Sequence, residues 1–144
     1  MDQGAVVSEQ TESGSRLIEA LVAGGFDVQV AFWAKPTDEG KWFLYLASPT
    51  VDEKGPANAY RFVYRILGQL HDSWIDPLEV RVVGSNDSLA QAALAVTRPR
   101  MADGPFAIRH ANPSYPGMTR FGGSTLGGIS IDGAYIYPPS QSVA

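Results

Sequence analysis

The sequence predicts an α+β domain of two layers, in which about three helices pack on a mixed β-sheet that begins with an N-terminal β-hairpin. The hairpin is indicated by two β-rich apolar runs, 26–34 and 41–47, on either side of a short segment containing Pro, Asp and Gly. The mixed sheet is indicated by a helical pattern at 56–71, which separates the second run from another β-rich run at 78–84. A strand, a helix and a strand in this order are typical of a parallel crossover.

The second strand of the hairpin is expected to be central in the sheet. Its apolar residues alternate onto both faces, with Leu44 and Leu46 on one face and Phe43 and Tyr45 on the other. A strand with two apolar faces is usually covered on both sides. Together with the helical patterns, this alternation predicts near-complete burial of Phe32, Trp42, Leu44, Val63, Leu67 and Val82.

Two further helices are predicted from the spacing of apolar residues and from the residues that begin or end them. One is expected at 15–23, with Ser13 or Ser15 as its cap, and the other at 88–96, ending before Pro99. In the third predicted strand, 78–84, the alternation predicts that three side chains point into the core: Leu78, Val80 and Val82.

The C-terminal part is predicted to contain two strands, 106–110 and 129–137. Between them lies the stretch 111–128, which has two prolines, five glycines and no periodic pattern. A loop of this length in a compact domain is usually functional or mobile. The chain is therefore divided into a flexible N-terminal tail (1–14), a single α+β domain (15–137) and a flexible C-terminal tail (138–144).

The composition argues against several classes of function. There is no cysteine, which excludes disulfides, thiolate metal sites and cysteine nucleophiles, and agrees with a reducing, cytoplasmic location. The N-terminus has no signal-peptide pattern, and no stretch approaches the roughly 20 apolar residues that span a membrane. Residues 1–97 carry thirteen acids and seven bases, so a nucleic-acid partner, which normally meets a basic stripe, is not expected.

No catalytic or cofactor-binding motif is complete. The segment Gly117–Ser124 has the spacing of a phosphate-binding P-loop, but Gly123 replaces the lysine and no helix is predicted to follow. The two histidines, His71 and His110, are far apart in the sequence. Neither a metal site nor a cofactor is therefore expected.

One cluster of basic residues near the C-terminus could hold an anion. Its five basic residues lie within 23 positions of each other: Arg98, Arg100, Arg109, His110 and Arg120. Ser124, in the glycine-rich stretch that follows, is a further candidate. Arginine guanidinium groups and glycine amides are the donors that a phosphate or a carboxylate requires. In the alternative interpretation, the arginines pair with acids of residues 1–97 and the glycines only shape turns.

Two functional hypotheses follow. The first is a small, soluble, bacterial-type cytoplasmic module that binds a protein partner or a second copy of itself and is not an enzyme. It rests on the incomplete motifs and on the aromatic residues of the hairpin. The alternative is a small enzyme or ligand-binding domain that holds an anionic substrate within residues 98–128, with His110 as a possible acid or base.

Overall fold

The computed structural model describes residues 8–70, 75–97, 119–121 and 125–137. The helices within them are α1 (Ser8–Ala23), α2 (Pro49–Lys54), α3 (Pro56–Leu70) and α4 (Ser88–Thr97). The strands are β1 (Val30–Pro36), β2 (Phe43–Ala47), β3 (Val80–Val83), β4 (Thr119–Phe121), β5 (Thr125–Leu126) and β6 (Ile129–Ile136). A 3₁₀ turn at Pro77–Glu79 leads directly into β3.

The strands form a mixed sheet in the order β3-β2-β1-β6-β4, and β5 pairs with β6. β1 and β2 are the predicted antiparallel hairpin, in which Phe32 lies opposite Tyr45. β2 and β3 are parallel, with Leu44 opposite Val80, and α2 and α3 connect them. The prediction of an α+β domain with a mixed sheet built on an N-terminal hairpin is confirmed.

Helices cover both faces of this sheet. α1 and α3 pack on one face, where Leu17 and Val63 belong to the same buried cluster as Leu44. α4 packs on the other face, where Leu89 joins the cluster that contains Phe32. All five residues of β2 are buried, as its two apolar faces require. α4 therefore adds a third layer to the two layers that the sequence predicted.

The predicted core is confirmed at five of its six residues. Each of these side chains is at most 5% exposed: Phe32, Leu44, Val63, Leu67 and Val82. The sixth, Trp42, is only partly buried. It precedes β2, and its ring lies beside Tyr135, with 5.5 Å between ring centres, over the backbone of Gly133. The Trp42 side chain is therefore partly exposed, although its Nε1 atom is buried.

The first helix is longer than predicted. α1 begins at Ser8, whereas the sequence predicted a helix over 15–23. The predicted flexible tail 1–14 is therefore wrong for residues 8–14, and residues 1–7 lie outside the described part of the chain. Ser13, one of the two serines predicted as the cap of the helix, is fully buried within it. Tertiary burial outweighs the low helix propensity that suggested a cap at this position.

A buried chain of hydrogen bonds holds this first part of α1 on the sheet. Trp33 Nε1 donates to the Tyr137 hydroxyl at 3.0 Å, and that hydroxyl donates to the Thr11 carbonyl at 2.6 Å. Gly14 lies against the same hydroxyl, and a Cβ at this position would collide with it. A glycine that weakens an isolated helix is therefore what allows α1 to approach the sheet closely.

The C-terminal part also contains more strand than predicted. β4 and β5 lie within the stretch 111–128, which the sequence predicted as one long loop, and both pair with β6. β6 itself confirms the strand predicted at 129–137. The predicted strand at 106–110 and the predicted C-terminal tail, 138–144, lie outside the described residues.

Candidate interaction surface

The 3₁₀ turn Pro77–Glu79 is fixed by its own hydrogen bonds. The Asp76 carboxylate caps it by accepting a hydrogen bond from the Leu78 N–H at 2.9 Å. At the other end, the Val80 N–H donates to the Pro77 carbonyl. Aspartate at the cap and proline at the first position both favour a turn of this kind. The local sequence therefore fixes the backbone on both sides of Leu78.

This turn holds the Leu78 side chain in solvent. Leu78 is 82% exposed, the highest value among the large apolar side chains described, and Tyr64 follows at 41%. The prediction that Leu78 points inward is wrong. Alternation between the two faces applies only to extended backbone, and the extended strand begins after the turn, at Val80.

The Tyr64 side chain lies beside the turn. Its hydroxyl donates to the Pro77 carbonyl at 3.3 Å, and its ring lies 5.6 Å from that of Tyr60, centre to centre. Burial, with a smaller contribution from Tyr60, raises the pKa of Tyr64. Tyr64, Pro77 and Leu78 form an exposed apolar surface that we call the Leu78 patch.

Charged side chains also occur on α3 and on the turn. On the helix, Arg61 is exposed and donates to an uncharged partner, Asn58 Oδ1, at 2.8 Å. On the turn, Asp76 is exposed, and Glu79 lies 3.8 Å from the Lys41 ammonium group. An exposed ion pair of this kind contributes little to stability.

β3 lies next to the patch, at one edge of the sheet. The N–H groups on its outer side already donate to acceptors within the chain. The Val80 N–H donates to the Pro77 carbonyl, and the Val82 N–H donates to the Tyr60 hydroxyl at 3.0 Å. The edge of a sheet binds a further strand through such backbone groups. Because both donors are used within the chain, this edge cannot offer them to a partner strand.

On the opposite side of β3, a cation covers the aromatic side chains. The Arg81 Cζ atom lies 3.7 Å from the centre of the Phe43 ring. Its guanidinium group also donates to the Tyr45 hydroxyl at 3.0 Å and to the Glu39 carboxylate at 2.8 Å. The hydrogen bond from Arg81 lowers the pKa of Glu39, whereas burial raises the pKa of Tyr45. Phe43 is consequently only 5% exposed.

A separate polar cluster joins α2 to the turn before α4. The Asp52 carboxylate accepts hydrogen bonds from the Ser85 hydroxyl at 2.6 Å and from the Ser85 N–H at 2.9 Å, and these bonds lower the pKa of Asp52. The Gln91 side chain donates to the Ser85 carbonyl. These contacts fix the start of α4. Asp52 and Ser85 therefore have a structural role in joining α2 to α4.

The predicted anion-binding residues lie mostly outside the described part of the chain. This holds for five of them: Arg98, Arg100, Arg109, His110 and Ser124. Arg120 lies in β4, opposite Tyr135 of β6. The anion site therefore stays a prediction.

Within the described ranges, no group of three or more histidine, aspartate or glutamate side chains is placed to hold a metal ion. None of the helices in those ranges combines the length and apolar character needed to cross a lipid bilayer.

The Leu78 patch was missed by sequence reasoning, although the Asp76–Pro77 pair was a local signal for the turn that exposes Leu78.

Comparison with protein-family models, curated proteins and solved structures finds no significant match to this chain. What the fold and the surface define is an α+β domain with an exposed apolar patch beside an occupied sheet edge. Its function is therefore inferred from the chemistry of that surface.

Proposed function

We propose that this protein is a non-enzymatic binding or assembly module that engages a protein partner through the Leu78 patch. The observation that supports this proposal is the 82% exposure of Leu78 on a hydrogen-bonded turn. A leucine on a flexible segment could fold back onto its own domain. The Asp76 cap and the bond from Tyr64 to the Pro77 carbonyl prevent this here.

An apolar side chain that is already fixed in solvent is well suited to enter a pocket on a partner. Binding then costs little conformational entropy, because the turn is ordered before the partner arrives. The neighbouring residues also suit an interface. Tyrosine is enriched among the residues that contribute most to protein association, and Tyr64 bonds to Pro77, the residue next to Leu78.

Composition supports a cytoplasmic setting and a partner other than nucleic acid. The absence of cysteine from the sequence is typical of proteins in a reducing compartment. The net charge of −4 and the exposed Asp76 of the turn disfavour a polyanionic partner. A protein surface is the partner that fits an exposed apolar patch.

A photocrosslinking amino acid in place of Leu78 tests this proposal in the organism that makes the protein. Leu78 is exposed, so the replacement should leave the fold intact. We expect a covalent adduct of defined mass on irradiation. The same amino acid in place of the exposed residue Asp27, remote from the patch in sequence, is the matched control. Equal adducts at both positions, or none at 78, would contradict the proposal.

A further inference from the structure

We infer that the outer face of α3 is a second binding surface, which takes a short acidic segment of a protein partner. We call this surface the α3 basic face and define it by Arg61 and Arg65. Leu78 takes no part in it, so the inference goes beyond the proposed function. The observation that carries it is a pair of exposed arginines without an acidic partner, on a helix whose sequence contains no acid.

The spacing of the two arginines puts them on one side of α3. They are four residues apart, and side chains at this separation are neighbours on the surface of a helix. Both are exposed, whereas the opposite side of α3 buries Ala59, Val63 and Leu67 in the core. The outer face of this helix is therefore positively charged, although the whole chain carries a net charge of −4.

Uncharged neighbours hold both guanidinium groups. Arg61 donates to Asn58 Oδ1 at 2.8 Å. The Arg65 Cζ atom lies 4.7 Å from the centre of the Phe62 ring, which itself stacks on Phe26 at 5.2 Å. Within the ranges that the structure describes, neither guanidinium group forms an ion pair with a carboxylate. The two arginines are therefore held in place and keep their full charge.

The cations beside β3 are arranged differently, because each has an acidic partner. Arg81 lies 2.8 Å from Glu39, and Lys41 lies 3.8 Å from Glu79. On α3, by contrast, two like charges four residues apart repel each other, which disfavours the helix. A negatively charged group from outside the chain would relieve this repulsion.

Carboxylates of an acidic segment fit the two arginines. Guanidinium groups bind carboxylates through paired hydrogen bonds, and Cβ atoms four residues apart on a helix are separated by about 5–6 Å. In an extended peptide, alternate side chains lie about 6–7 Å apart on the same side, so two glutamates can meet both arginines. A nucleic acid fits less well, because it carries charge along its whole length and would also meet the acidic remainder of the chain.

An NMR titration of the full chain tests the inference. The probe is a short peptide of alternating glutamate and alanine, and the same peptide with glutamine in place of glutamate is its control. We expect the Nε–H signals of Arg61 and Arg65 to shift with the glutamate peptide, with a dissociation constant below about 1 mM, and to stay constant with the control. No shift up to about 1 mM, or equal shifts with both peptides, would overturn the inference.

Matched variants distinguish the α3 basic face from general attraction by positive charge. Arg61→Gln and Arg65→Gln should each weaken binding of the glutamate peptide about two- to fivefold, because each removes one ion pair. Lys41→Gln removes the same charge on the other side of β3 and should leave the affinity unchanged. The amide spectra report whether each variant is folded. Equal losses of affinity in all three variants would show that no particular face is involved and would overturn the inference.

An oligonucleotide tests the class of partner. A single-stranded oligothymidylate with the same number of charges as the glutamate peptide should bind the α3 basic face more weakly than the peptide does. Tighter binding of the oligonucleotide would mean that the face takes a nucleic acid, and would overturn the inference. Crosslinking at position 78 reports on the Leu78 patch, so its result and the result of the titration are independent.

Discussion

Two apolar surfaces lie on opposite sides of β3, and they differ in how far they are exposed to solvent. On one side, Arg81 is stacked at 3.7 Å over Phe43, which leaves that ring only 5% exposed. Lys41 approaches the same ring at 5.5 Å. On the other side, Tyr64 is 41% exposed and Leu78 is 82% exposed.

The two surfaces differ in how far they are covered. Long cationic side chains cover apolar surface with their methylene groups and keep their charge in water. Arg81 does this over Phe43, supported by hydrogen bonds to Tyr45 and Glu39. Leu78 remains 82% exposed, so the Leu78 patch is open while the Phe43 surface is covered.

The largest expected effect compares a buried leucine with the exposed one. Leu44 is fully buried, so Leu44→Ala should lower the free energy of unfolding by about 2–5 kcal/mol through lost contacts and a cavity. Leu78→Ala should change it by less than about 0.5 kcal/mol. Urea unfolding of both variants measures these values. A large loss of stability at Leu78 would mean that this side chain packs against the domain.

The next effect concerns the cover over Phe43. Arg81→Ala removes the stacked cation and two hydrogen bonds, and should lower the free energy of unfolding by about 1–2 kcal/mol. Arg61→Ala, which uncovers no ring, serves as the control and should stay within about 0.5 kcal/mol. An unchanged unfolding midpoint for Arg81→Ala would show that Phe43 does not depend on this cover.

A smaller change in stability is expected for the loss of either tyrosine hydroxyl of α3, at Tyr60 or at Tyr64. Tyr60→Phe leaves the Val82 N–H without its acceptor and should cost about 1 kcal/mol. Tyr64→Phe removes a longer and exposed bond to the Pro77 carbonyl, so it should cost less. Thermal unfolding of both variants provides the comparison. If Tyr60→Phe has no effect, the Tyr60 hydroxyl does not protect the outer edge of β3.

The smallest effect is a change in acid titration. Arg81 holds the pKa of Glu39 below its usual value of 4.5. A depressed pKa in the folded state favours folding above the unfolded pKa, and this contribution is lost as the pH falls through the folded pKa. NMR titration of the Glu39 carboxylate should therefore show a higher pKa in Arg81→Ala than in the wild type. The same pKa in both proteins would contradict the contact.

The sequence predicted the sheet well because its signals are repeated along the chain. The alternation in β1 and β2 and the helical spacing in α3 each involve many side chains, so one irregular residue changes little. The two apolar faces of β2 already implied cover on both sides, which α4 provides.

The surface was harder to predict because it depends on single residues. The 3₁₀ turn ends the alternation just before β3 and turns Leu78 outward, although an alternating pattern continues through it. In α1, Ser13 or Ser15 was predicted to cap the helix, but Ser13 is fully buried and the neighbouring Gly14 lies against the distant Tyr137 hydroxyl. Local patterns cannot show contacts between residues so far apart in sequence.

The most direct test of the central claim is an NMR experiment on labelled leucine methyl groups and aromatic rings with a soluble nitroxide added. If the Leu78 patch is open to solvent, the Leu78 methyl and Tyr64 ring signals should broaden strongly as nitroxide is added. The Phe43 ring signals, covered by Arg81, should broaden much less. Broadening at Phe43 as strong as that at Leu78 would contradict the claim.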